Sequence, residues 1–253
     1  MKPSIYQYIL EATKQKKKLL IVLIDPDKCS SDDQIERFAS LLNQAQPDLI
    51  FIGGSLTSES TTRLIKQLKK KCSIPTVLFP GNAIQFTPEA DALLFLSLIS
   101  GRNPDFLIGQ HVVIAPAVRQ AGIETISTGY ILVESDNTTA VEYISNTRPI
   151  PRHKPQLAAA TAIAGELLGN KLIYLEAGSG ANPPVSSEMI TKVKKSISVP
   201  LIVGGGLRTN EEILRALHAG ADAVVVGNIL ETTPEKMLDF AKTVKNFVQA
   251  SMQ

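Results

Sequence analysis

Short apolar runs alternate with amphipathic stretches along the chain. The runs are LLIVLID (19–25), DLIFIGG (48–54), PTVLFPG (75–81), ALLFLSL (92–98), ETISTGYILVES (124–135), KLIYLEAG (171–178), PLIVGGG (200–206) and AVVVGN (223–228). They are β-branched and nearly continuous in apolar character, which marks strands buried on both faces of a parallel sheet. Between them, DDQIERFASLLNQA puts Ile35, Phe38, Leu41 and Leu42 on one helical face. ESTTRLIKQLKKK, SSEMITKVKKSI and NEEILRALHAG repeat that spacing. Eight such units predict an α/β fold closed into a (β/α)8 TIM barrel. A doubly wound open sheet alternates in the same way, and the count of eight favours closure.

Two places break the alternation. Only NAIQFTPEA separates the third and fourth strands, too short and too Pro-interrupted for a covering helix. The barrel is therefore expected to lack the helix after strand 3. After strand 5, NTTAVEYISNTRPIPRHKP reads as a long irregular connection with three prolines, of the kind that serves binding. No repeat or linker divides the chain, so residues 1–253 are expected to form one TIM-barrel domain.

The length of 253 residues suits one such barrel. Hydrophobic residues make up 44% of the chain and the net charge is +2, so nothing in the charge points to nucleic acid. Cys29 and Cys72 match no metal spacing, and a reduced, cytoplasmic setting follows. The N-terminal stretch carries charges where a signal peptide needs an apolar core. No run reaches the ~18 apolar residues of a membrane span, which leaves at most peripheral membrane contact.

The chemistry gathers where the strands end. EAGSGA, GGGLRTNEE and GNILE are glycine-rich turns after strands 6, 7 and 8. Glycine lets the backbone approach a ligand, and barrels often build a phosphate site from such loops. In IDPDK, Asp25 and Asp27 flank a proline. Mg²⁺ takes one or two carboxylates plus substrate phosphates, whereas an Asx turn or helix cap explains the same pair without a metal. Ser55, in GGS after strand 2, adds a hydroxyl on the same rim. Tyr174 and Glu176 share a strand face. A Glu there suits a general base, and its alternative role is an ion pair with Arg208. DDQIE follows Ser30-Ser31 and reads as a capped helix start rather than a metal motif. The lysine clusters at 16–18, 69–71 and 194–195 belong on the face opposite the site. His111, His153 and His218 have no metal spacing.

These residues resemble a known family, the geranylgeranylglyceryl phosphate synthases, with the related heptaprenylglyceryl phosphate synthases of bacteria. LIDPDK, FIGGS, LFPGN, SGRNP, RPIPRHKPQLAAATA, YLEAGSGA, VPLIVGGGLR and VVVGN occur in the family's order and span nearly the whole chain. The form of YLEAGSGA is more similar to the archaeal-type group, also found in some bacteria. The resemblance implies a prenyltransferase of ether phospholipid biosynthesis. It would join geranylgeranyl diphosphate to the C3 hydroxyl of sn-glycerol 1-phosphate and release diphosphate. Asp25 and Ser55 then match the Mg²⁺ positions. Tyr174, Leu175, Glu176, Ala177, Gly178, Ser179, Gly180, Gly205, Gly206, Gly227 and Asn228 match the glycerol phosphate positions, and Glu176 matches the proposed base. The family lacks the third barrel helix and lays the prenyl tail in a groove on the barrel side. A homo-oligomer is expected. The competing readings are a sugar-phosphate isomerase or lyase on the same scaffold, and a non-catalytic phosphate-binding barrel.

Overall fold

The computed structural model describes residues 4–251. Eight parallel strands close on themselves in sequence order. They are β1 (Leu19–Ile24), β2 (Leu49–Ile52), β3 (Thr76–Leu78), β4 (Ala92–Leu98), β5 (Glu124–Leu132), β6 (Leu172–Glu176), β7 (Leu201–Gly204) and β8 (Ala223–Val226). β8 returns to β1 through Leu19↔Ala223 and Val22↔Val226. Alternate residues point to opposite faces of a strand, which divides the apolar side chains into two sets. Leu19, Ile21, Leu49, Phe51, Leu94, Tyr174, Ile202 and Val225 fill the interior. Leu20, Val22, Ile50, Ile52, Leu175, Val203 and Val224 pack outward under the helices.

The helix Ile5–Lys14 joins the interior cluster through Ile5, Ile9 and Ala12. The Glu124 carboxylate holds its start, accepting from Ser4 Oγ and from the N–H groups of Ile5 and Tyr6. The lysine clusters reach the N-terminal ends of the strands, opposite the site as expected, and some of them meet acids there. Lys69 pairs with Asp91 at 2.9 Å and Lys194 with Asp222 at 2.6 Å. The DDQIE segment opens the helix Asp32–Ala45, where Ser31 and Gln34 form a capping box, which agrees with the cap reading.

The third covering helix is missing: between β3 and β4 the backbone forms only the single turn Ala83–Gln85. The gap reaches the sheet itself. β3 pairs with β4 only at Val77↔Ala92 and Leu78↔Leu93, whereas β4 pairs with β5 along its whole length. Beyond Leu93, β4 has no strand on its β3 side among the described residues. The connection after β5 departs from the sequence reading. It is not wholly irregular, because Thr139 caps the short helix Ala140–Ser145 by accepting the Glu142 N–H. The segment then returns to lie parallel to the chain just beyond β5, with Ile150 bridged to Val133. Among the described residues, no helix is long and apolar enough to cross a membrane.

Candidate active site

Two cavities of opposite character open at the C-terminal ends of the strands. The first lies over the barrel axis. Its wall includes Asp25, Ser55, Tyr174, Glu176, Ser179, Gly180, Gly205, Gly206, Gly227 and Asn228, so the turns after β6, β7 and β8 converge on it as predicted. The N–H groups of Ser179, Gly180, Gly205, Gly206, Gly227 and Asn228 donate to no acceptor among the described residues. Such uncommitted donors form a ready seat for an anion. The rest of the predicted segment supports this wall instead of lining it. Leu175 and Ala177 pack outward among the helices. The Ala177 N–H donates to the Gly204 carbonyl and the Gly178 N–H to Glu176 Oε1, at 3.2 Å and 2.7 Å.

Glu176 is 6% exposed. Burial pushes its carboxyl up to about 7, against the opposing pull of the Gly178 N–H and the Tyr174 hydroxyl. That hydroxyl acts on the carboxylate's charge without reaching hydrogen-bond geometry with any described partner. Burial and the Glu176 charge together hold the Tyr174 phenol far above its ordinary range. Arg208 does not pair with Glu176. Its Nη2 donates to the Gly180 carbonyl at 2.6 Å, so the ion-pair alternative fails.

Asp25 caps the turn Pro26–Lys28, with Oδ1 accepting the Asp27 N–H at 3.0 Å. Its Oδ2 occupies space that exists because residue 54 is glycine, since a Cβ there would lie 2.8 Å from it. Burial raises the Asp25 carboxyl, while the Asp27 N–H and Lys28 pull it back. Glu231, on the same wall, is also raised, by burial and by the Asp25 charge. Asp27 has another task. It accepts the N–H groups of Ser58 and Glu59 and ties the β1 and β2 loops together.

The second cavity is an apolar groove entering where β3 and β4 part. Phe86, Leu93, Phe95, Phe106 and Ile114 are among its walls. Both faces of β4 contribute, as the open edge allows. The two cavities meet at Gly54, Ser55, Phe79, Tyr130 and Val141, which line both. Phe79, Tyr130 and Tyr174 form a ring cluster there, with centroids 5.2 Å (Phe79–Tyr174) and 5.4 Å (Tyr130–Tyr174) apart. Sequence reasoning missed Phe79, Tyr130, Val141 and Glu231. Phe79 and Tyr130 sit near strand ends, but nothing in one strand's pattern reveals which rings stack across a barrel.

The chain matches a family model described as the PcrB family over residues 11–245. It is 50% identical over 229 residues to a geranylgeranylglyceryl phosphate synthase of Flavobacterium johnsoniae, covering 90% of this chain and 94% of that protein. It is 43% identical over 241 residues to one of Pyrococcus abyssi, covering 94% of each. The structure of the Thermoplasma acidophilum (S)-3-O-geranylgeranylglyceryl phosphate synthase, solved with its substrate sn-glycerol-1-phosphate, superposes with a TM-score of 0.90. That comparison has 29% identity and covers 96% of this chain and 99% of the other. The chain belongs to the PcrB family, alongside bacterial and archaeal relatives named geranylgeranylglyceryl phosphate synthase.

Proposed function

We propose that the protein transfers the geranylgeranyl group from its diphosphate to the C3 hydroxyl of sn-glycerol 1-phosphate. The observation that carries this reading is the junction of a polar, N–H-rich cavity with an apolar groove, beside a buried carboxylate. The glycine turns hold the acceptor's phosphate and so aim its hydroxyl. Glu176 takes the hydroxyl proton as the oxygen bonds to the allylic carbon and the carbon–diphosphate bond breaks. Phe79 and Tyr130 line both cavities where they meet, and aromatic rings beside the reacting carbon would stabilise its partial positive charge.

Asp25 and Ser55 fit a Mg²⁺ site. The Asp25 Oδ2 is uncommitted, hydroxyl and carboxylate oxygens suit a hard cation, and the mutual repulsion of Asp25 and Glu231 would be relieved by one. A bound Mg²⁺ would supply charge neutralisation for the departing diphosphate.

Purified protein given geranylgeranyl diphosphate, sn-glycerol 1-phosphate and Mg²⁺ should release diphosphate and form the ether. An intact prenyl diphosphate would overturn the proposal: a sugar-phosphate isomerase leaves it untouched, and a phosphate sensor binds the acceptor without turnover.

Asp25→Asn removes one anionic oxygen. It should lower activity at limiting Mg²⁺ by more than the ~10–100-fold typical of changes outside the ligand shell. The Mg²⁺-dependent rise in Tm should shrink with it. Asp33→Asn, in the first turn of Asp32–Ala45, should change neither by as much as about twofold. A Mg²⁺ titration in which Asp33→Asn does the greater damage would move the metal site elsewhere.

A further inference from the structure

The anion cavity has an unfavourable charge for an anion. Its described lining includes the carboxylates of Asp25, Glu176 and Glu231, and Arg208 is the one cationic side chain among them. Arg208 makes no ion pair with any described carboxylate, although it is half-buried beside this acidic wall. An unpaired guanidinium drawn part-way out of water is costly unless something negative meets it.

Its placement is built rather than incidental. Its backbone N–H donates to Glu212 Oε2 at 2.7 Å, and its carbonyl accepts Lys236 Nζ at 3.2 Å. Glu212 belongs to the capping box of the helix Asn210–His218, so the residue is fixed by a regular element. The guanidinium then spends one N–H on the Gly180 carbonyl. Arg208 follows Gly204–Gly205–Gly206 by two positions, so it physically joins the β7 turn to the β6 turn. Arginine carries five N–H donors, which leaves most of the fork for another acceptor.

We propose that Arg208 is a binding and positioning residue for the acceptor's phosphate. It supplies the charge that the glycine N–H groups lack, and it holds Gly180 in register with Gly205 and Gly206. The ligand chemistry it selects is a phosphomonoester dianion, which guanidinium recognises through paired N–H···O contacts. This rests on the reading of the cavity as the glycerol phosphate site.

The test uses Arg208→Gln and Arg208→Lys in the full chain, with calorimetry and steady-state kinetics. Wild type must first bind sn-glycerol 1-phosphate. If it does not, the functional reading fails before this residue is in question. The loss of a charge-assisted contact amounts to about 10–100-fold in affinity. Arg208→Gln is therefore expected to raise KM for sn-glycerol 1-phosphate by about that factor. The KM for the prenyl diphosphate and kcat at saturating acceptor should move little. Inorganic phosphate, as a competitive inhibitor, should weaken in parallel, and KM should lose part of its salt dependence. Arg208→Lys should recover part of the loss, because it keeps charge without the fork. The proposal is overturned by an unchanged acceptor KM and phosphate inhibition. It is also overturned if both variants lose kcat, Tm and affinity for both substrates alike, which marks a scaffold residue. If Arg208→Gln does not fold, the acceptor KM of Arg208→Lys decides in the same way.

Discussion

Glu176→Gln should lower kcat by about 10²–10⁴-fold, the usual cost of losing a general base, with a much smaller change in KM for the acceptor. The side chains have nearly the same shape, and the amide oxygen can still accept the Gly178 N–H that Glu176 accepts at 2.7 Å. The wild-type carboxyl sits at about 7, so its basic form grows in as pH rises through neutrality. The profile of kcat/KM should therefore show an acid limb near pH 7 that Glu176→Gln abolishes. Any limb owed to the phosphate of the acceptor would persist in the variant, which separates the two. Stability gives a second reading of opposite sign. A carboxyl raised in the folded state favours folding below its unfolded pKa and loses that advantage as pH rises through about 7. Above neutrality the buried charge costs on the order of 3 kcal/mol, since each pKa unit is worth about 1.4 kcal/mol. Glutamine escapes that cost, so the Tm of Glu176→Gln relative to wild type should climb from pH 5 to pH 8. A surviving kcat would mean that the neutral hydroxyl captures an allylic cation unaided. A variant that fails to fold would make Glu176 a structural partner.

The second large effect is expected at Gly205. Its φ of +81° lies in the left-handed region, and a Cβ would stand 2.2 Å from Glu176 Oε1 and 2.6 Å from the backbone nitrogens of Ala177 and Gly178. Left-handed strain costs about 1–2 kcal/mol and overpacking a further ~1–3 kcal/mol. Gly205→Ala should therefore lower Tm, displace the Glu176 carboxylate and remove nearly all activity. Gly227→Ala is the milder probe. Its φ is −139° and the three atoms nearest its Cβ would all belong to Leu23, at 3.2–3.4 Å. That change should raise the acceptor KM several-fold with the fold intact. Equal effects from the two alanines would contradict the packing of Gly205 against Glu176.

Much of this arrangement was legible in the chain. Strands buried on both faces leave uninterrupted apolar runs, and all eight runs became strands, most with trimmed ends. β2 stops at Ile52, before Gly53 and Gly54, whereas β5 stops at Leu132 rather than at 135 with no Gly or Pro in Val133, Glu134 and Ser135. The absent helix was legible because NAIQFTPEA lacks the length for one. The glycine turns were legible because chain order and barrel topology together place them side by side. Other features depend on contacts between distant segments. The parting of β3 from β4 lies in their register, and the ring cluster of Phe79, Tyr130 and Tyr174 needs three strands at once. The charge of Arg208 left an ion pair with Glu176 as an alternative in the sequence, but the backbone carbonyl of Gly180 claims it. The helix Ala140–Ser145 escaped notice amid the prolines that follow it. Its Thr139–Glu142 spacing is a capping signal too short-ranged to outweigh them.

Under the proposed function, the open edge of β4 would make the prenyl tail of the substrate a structural member of the protein. Beyond Leu93 the wall between β3 and β4 is a slot, and a lipid tail lying there would take the place of the missing stave. A ligand that binds only the folded state stabilises it by mass action, by about 2.7 kcal/mol at a hundredfold excess over Kd. A protein domain is only narrowly stable, so an increment of that size would lower the population of opened states that a protease can cut. The supply of prenyl precursor would then set the enzyme's lifetime as well as its flux, so that a cell short of precursor would also shed the catalyst that consumes it.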